Sequence, residues 1–159
     1  MKPVLNLLGT LIIAFSFSTS ASANEAAVKY FSTQGEYADV IQDVEDAIQD
    51  AGLNIDYRGR IGDMLERTRK DLGGKEKIYK GAQFMQFCSA RLSRKMMEAD
   101  PANMGVCPYT VFVYETMKKP GTVVVGYKRP QGAPGVASQK SLADIDALLN
   151  GIVKEATGG

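Results

Sequence analysis

The strongest structural instruction in the chain is a pair of neighbouring runs, Tyr109 to Glu115 and Thr122 to Lys128, both rich in β-branched and aromatic residues. Such residues suit a pleated, half-buried surface, so each run reads as a strand. Lys119-Pro120-Gly121-Thr122 lies between them and puts Pro and Gly at the central positions of a tight turn. A fold built around this pair has to contain a sheet.

The rest of the chain supplies further strands and the helices to cover them. Val28 to Ser32 reads as a short first strand, and Thr33 with Glu36 as a capping box. Tyr37, Val40, Ile41, Val44, Ile48 and Ala51 then recur at helical spacing until Gly52 ends the run. Leu53, Ile55 and Tyr57 alternate with polar residues, as in a half-buried strand. A shorter helix is expected from Asp63 to Leu72, with Met64, Leu65, Thr68 and Leu72 inward. A strand is expected from Gln83 to Cys88, and a short helix capped by Ser89 runs to about Glu98. Met85 and Met64 read as core. Pro130 to Ser138 is a Gly/Pro-rich loop, and the scattered Gly126, Gly132 and Gly135 read as a strand bulge and turns. Ser141 and Asp144 open a last helix, about 141–156, with Leu142, Ile145, Leu148, Leu149 and Ile152 on one face. Helices on one side of a mostly antiparallel sheet is the economical way to bury these faces, so the expected class is α+β.

The first residues read as an export signal. Lys2 precedes a strongly apolar run from Val4 to Phe17, and a small-residue stretch closes on Ala21-Ser22-Ala23. That is the pattern of a signal peptide cleaved after Ala23. The apolar run is only about 14 residues, whereas a spanning helix wants roughly 20. No other stretch is long and apolar enough to cross a bilayer, so the mature form is expected to be a single domain over 24–159, periplasmic or secreted.

Charge and composition exclude several functions. The chain has 19 basic and 18 acidic groups, and loss of Lys2 leaves the mature body balanced. A neutral body has no long-range field to gather phosphate backbones. Arg67, Arg69 and Lys70 cluster, but Asp63, Glu66 and Asp71 are interleaved with them, so nucleic acid is not an expected partner. There is no histidine, which removes serine-histidine and cysteine-histidine catalysis and most zinc sites, and there is no tryptophan. No glycine loop is built to cradle a phosphate. Glu115 and Tyr127, on strands near turns, could line a cleft or simply face outward from the sheet.

From Tyr30 to Pro130 the chain resembles the bacterial family called domain of unknown function 302. The carrying features are the helix ending at Ala51-Gly52, then Met97-Glu98-Ala99-Asp100-Pro101. A Pro before an apolar strand (Pro108 to Glu115) and a closing strand ending Val125-Gly126-Tyr127 complete them. The resemblance implies an α+β fold of the strand–helix–four-strand–helix kind, like TATA-binding-protein domains, and a homodimer; it brings no established activity. The chain departs from the family's usual Asn-Pro pair at Cys88-Ser89, and Cys107 is an addition.

An oxidising compartment normally pairs two cysteines. On the fold implied by the resemblance, Cys88 ends one strand and Cys107 begins its neighbour, so a structural disulfide would bracket the excursion from Ser89 to Val106. The rival reading joins Cys88 and Cys107 to Met96, Met97 and Met104 as soft sulfur ligands for Cu(I). The same methionines serve equally as flexible core filler.

Three functional expectations follow. The first is a non-catalytic binding or accessory module for a small ligand or a periplasmic protein, with Met97, Asp100, Tyr127 and Lys128 as candidate contacts and no cofactor. The second is copper handling through the sulfur set. The third is an enzyme of unrecognised type, for which no catalytic residues are visible.

Overall fold

The computed structural model describes residues 27–159; the expected signal peptide, residues 1–23, lies outside that range. Within it the order is β1 (Val28–Gln34), α1 (Tyr37–Asp50), β2 (Tyr57–Gly59), α2 (Ile61–Thr68), β3 (Tyr79–Phe87), α3 (Ala90–Ala99), β4 (Tyr109–Thr116), β5 (Thr122–Lys128) and α4 (Val136–Glu155). A 3-10 segment, Pro101–Val106, joins α3 to β4. The strands form one antiparallel sheet in the order β1-β5-β4-β3-β2, with helices on one side, which is the expected α+β architecture.

Period-2 alternation decides which side chains go under the helices. In β4, Tyr109, Val111, Val113 and Glu115 are buried, while Thr110, Phe112, Tyr114 and Thr116 on the other face are half-buried. Val123, Val125 and Tyr127 of β5 join the buried set. Above them α1 contributes Val40, Val44, Ala47 and Ile48, and α4 contributes Leu142, Ile145, Leu149, Ile152 and Val153. Each Val, Leu or Ile side chain among them contributes about 1.5–3 kcal/mol when taken out of water. The β4–β5 turn forms as its residues require: the Thr122 N–H donates to the Lys119 carbonyl at 3.3 Å, and Gly121 supplies a φ of +79°.

Several expected boundaries move. Thr33 lies inside β1, paired with Val123, and Glu36 occupies the helix N-cap without a side-chain capping bond, so no capping box forms. Leu53 and Ile55 do pack against the core, but β2 begins only at Tyr57, whose ring turns to the opposite face and is 57% exposed. Helix α2 stops at Thr68, and Met64 and Leu72, expected inward, are 37% and 80% exposed. The cause is packing: α2 lies along β3 with Gly62 against the Ala82 backbone, and among the described residues no further layer packs on α2 to bury a second face. Strand β3 starts at Tyr79, four residues earlier than Gln83. Helix α4 starts at Val136, and Ser141 is buried within it, donating to the Ala137 carbonyl at 2.8 Å instead of capping. Ser89 does cap α3, accepting from the Leu92 N–H at 3.4 Å.

Gly126 is not a bulge. It sits in unbroken ladder register between Tyr30 of β1 and Phe112 of β4. A Cβ there would stand 2.5 Å from the Phe112 ring and 2.6 Å from the Lys29 carbonyl oxygen. The Phe112 ring therefore lies over the glycine, and Phe84 likewise covers Gly59 on β2. Because one obstacle is backbone, Gly126→Ala is expected to cost about 1–3 kcal/mol. A urea midpoint equal to that of the parent protein would refute this close packing.

Candidate functional site

A β-bulge creates the local geometry of the sheet's open face. Tyr79 pairs with Thr116 while Gly81 pairs with Glu115, so Lys80 is the extra residue on β3. The insertion reverses the facing of the residues before it. Tyr79 emerges on the open face, where its ring meets Tyr114 edge-on at 5.5 Å. Lys80 is sent toward the helix side, where its Nζ donates to Oε1 of Glu115 at 3.1 Å.

Glu115 is wholly buried. Its Oε1 also accepts the Gly121 N–H at 2.7 Å, so one carboxylate ties the start of β3 to the β4–β5 turn. The Gly121 hydrogen bond outweighs the cost of burial and, with Lys80 helping, holds the carboxyl below the usual glutamate range. Nearby, the Tyr37 ring covers Gly81, and burial pushes its phenol up to about 12.

Among the described residues no helix lies over the middle of the open face, and aromatic rings take its place. Tyr57 touches Phe84 at 5.9 Å, and Phe112 stacks on Tyr114 at 6.2 Å. Tyr30 is 60% exposed. At the turn end, this face becomes the floor of a groove of about 760 Å³. Tyr30, Tyr114, Val124 and Thr122 belong to the floor, and two chain segments stand over it, Glu76-Lys77-Ile78 and Met117-Lys118-Lys119. The Met117 N–H donates to the Ile78 carbonyl at 3.0 Å and joins the two segments. Ile78 and Met117 are 58% and 50% exposed, an apolar surface left open to solvent. The size lies within the range of small-molecule sites.

The residues singled out from sequence do not converge there. Tyr127 is buried in the core, its hydroxyl donating to Asp146 Oδ1 at 3.0 Å; it is not an outward-facing strand residue, and neither is Glu115. Met97 packs half-buried against the core from α3. Asp100 caps the 3-10 segment, accepting from the Ala102 N–H at 2.8 Å. Lys128 is exposed and lines a cleft of about 160 Å³ with Gly105 and Pro108, to which Met97, Asp100 and Tyr127 contribute nothing. Sequence reasoning passed over Tyr30, Ile78, Tyr114 and Met117, which lie far apart along the chain. The one available signal was Tyr114 and Phe112 on the polar-expected side of an alternating strand.

The excursion between β3 and β4 is built as a brace. Cys88 and Cys107 are bonded to each other across its base, with Cα atoms 6.1 Å apart. Asn103, wholly buried, donates from Nδ2 to the Met96 carbonyl at 2.9 Å and to Ser138 Oγ at 2.7 Å, while its Oδ1 accepts the Ala133 N–H at 2.7 Å. These bonds fasten the excursion to α4 and to the loop before it. Met96 lies in the core and Met104 is 70% exposed. With both thiols in the disulfide, the five sulfur atoms do not form one open ligand set here.

The fold and groove together define a two-layer α+β sandwich with an uncovered sheet face. The family model described as "Domain of unknown function DUF302" matches residues 29–156, and the chain belongs to that family. Among solved structures it is similar to one titled "Crystal structure of uncharacterized conserved protein DUF302 from Bacillus stearothermophilus". That likeness has a TM-score of 0.66 at 13% identity, over 82% of this chain and 98% of the other. No curated protein matches the chain. Among the described residues no helix is long and apolar enough to cross a membrane.

Two outcomes follow from this geometry. A glutamate with a depressed folded-state value contributes stability that is present above about pH 4.3, its unfolded value, and is lost as pH falls through the lower folded value. Glu115→Gln should therefore lower stability by about 1–3 kcal/mol at neutral pH and flatten the acid side of the urea-midpoint profile below about pH 4.5. An unchanged acid slope would show that Glu115 is not the titrating group. Reduction of Cys88–Cys107 should cost about 3 kcal/mol on the chain-entropy model, and two free thiols in the denatured, unreduced protein would contradict the pairing.

Proposed function

We propose that the mature chain is an exported, non-catalytic binding module that holds a small ligand in the groove on the open sheet face. The observation that supports it is an aromatic floor under exposed Ile78 and Met117, an apolar surface that no described residue covers. Recognition of this kind needs a rigid scaffold and a few apolar contacts; it does not need a general base. The groove is framed by a strand end and a turn that the buried Glu115 holds together, so it is pre-formed.

Export with cleavage after Ala23, and the homodimer that the family resemblance implies, belong to the same proposal. Copper handling has no geometric observation in its favour, since Met96 is core and the thiols are joined.

The test is a small-molecule screen by protein-observed NMR on the chain secreted to a periplasm. Hits are expected to shift the amides of Ile78, Tyr114 and Met117, and Tyr114→Ala should weaken them roughly tenfold. Turnover of a substrate abolished by a single polar substitution would replace the binding reading with an enzymatic one. Intact-mass spectra of the secreted protein should lack residues 1–23, and sedimentation should give a dimer; a retained leader or a monomer at all concentrations would remove those parts.

A further inference from the structure

We infer that the groove on the open sheet face selects amphipathic anions, an apolar chain or ring on the tyrosine floor and an acidic head at its lysine rim. This deepens the binding reading and rests on it. The rim carries Lys77, Lys118 and Lys119, all exposed, against the single carboxylate of Glu76. Among the described residues none of these three ammonium groups has an ion-pair partner. Other exposed cations, Lys70, Lys75 and Lys128 among them, are likewise without a carboxylate, so what marks the rim is three ammonium groups gathered beside one apolar groove with a single acid. A local excess of unpaired positive charge therefore borders the exposed apolar surface.

The bias is local, because basic and acidic groups balance once Lys2 is lost with the leader. A protein without net charge has no overall field to attract anions, so any preference has to come from the rim. The floor adds no opposing charge. Burial, with Tyr79 and Tyr30 close by, pushes the Tyr114 phenol up, so it stays neutral at physiological pH. The apolar walls then face the body of a ligand, and the ammonium groups its head. The shared chemistry is a carboxylate, sulfonate or phosphate monoester carried on a hydrophobic body.

The experiment compares three probes of one chain length, decanoate, 1-decanol and decyltrimethylammonium, each below its aggregation limit, by amide NMR on the secreted protein. Decanoate is expected to bind about tenfold more tightly than either other probe at low salt, with the gap closing as salt rises. The triple variant Lys77→Gln, Lys118→Gln, Lys119→Gln should level the three affinities while leaving decanol binding unchanged. All three side chains are exposed, and an unchanged urea midpoint would confirm that the variant is folded. Equal binding of all three probes to the parent groove would overturn the anion selection and leave the binding reading standing. No shift at Ile78, Tyr114 or Met117 with any probe would overturn both. Shifts of those amides with protein concentration alone would place a second copy in the groove and overturn the proposal.

Discussion

A five-stranded sheet has two faces, and the described residues hold helices enough to cover one. Val111, Val113, Val123 and Val125 are essentially sealed from water beneath α1 and α4, and the apolar helix stripes are spent on that side. The opposite face has to solve its own solvation. It does so with rings laid over glycines, Phe112 on Gly126 and Phe84 on Gly59, which flatten part of the surface and shield backbone. Part of what remains exposed, Tyr30, Ile78 and Met117, collects at the turn end, where the groove forms, while Tyr57 stays open at the far end of the sheet.

Glu115 is the polar exception on the covered face. A carboxylate with no exposure is costly unless its charge is answered. Here a backbone N–H from the turn and the bulged Lys80 answer it at Oε1, while Oε2 has no hydrogen-bond partner among the described residues. The arrangement couples three pieces that would otherwise fray independently: the entry to β3, the β4–β5 turn and the bulge. Since Tyr79 and the Met117–Lys119 segment take their positions from the same three pieces, the groove's shape depends on a charge on the other side of the sheet.

The excursion from Ser89 to Val106, which draws attention in the sequence through its cysteines and methionines, is reinforced from both ends. The disulfide closes its base, and Asn103 pins its far part to α4. Segments that open for ligands tend to have few buried contacts. This one has a buried amide with every donor and acceptor engaged, so it serves as a brace.

What was legible in the sequence was local. The bounds of β5, the turn through Pro120 and Gly121, the Ser89 cap and the stripe of α4 depend on side chains a few residues apart. Local signals failed where a tertiary partner outbid them. Thr33 and Glu36 spell a capping box, yet pairing with Val123 keeps Thr33 extended. Leu72 and Met64 follow helical spacing, but among the described residues no second layer reaches α2. Alternation could say that Tyr114 and Glu115 point opposite ways; it could not say which way was in. That choice, and with it the bulge at Lys80, the open aromatic face and the groove, was decided only when helices distant in sequence packed against one side of the sheet. By itself the sequence determined the elements and the absence of histidine chemistry; the tertiary structure decided where apolar surface was left over, because burial is a property of the whole packed chain.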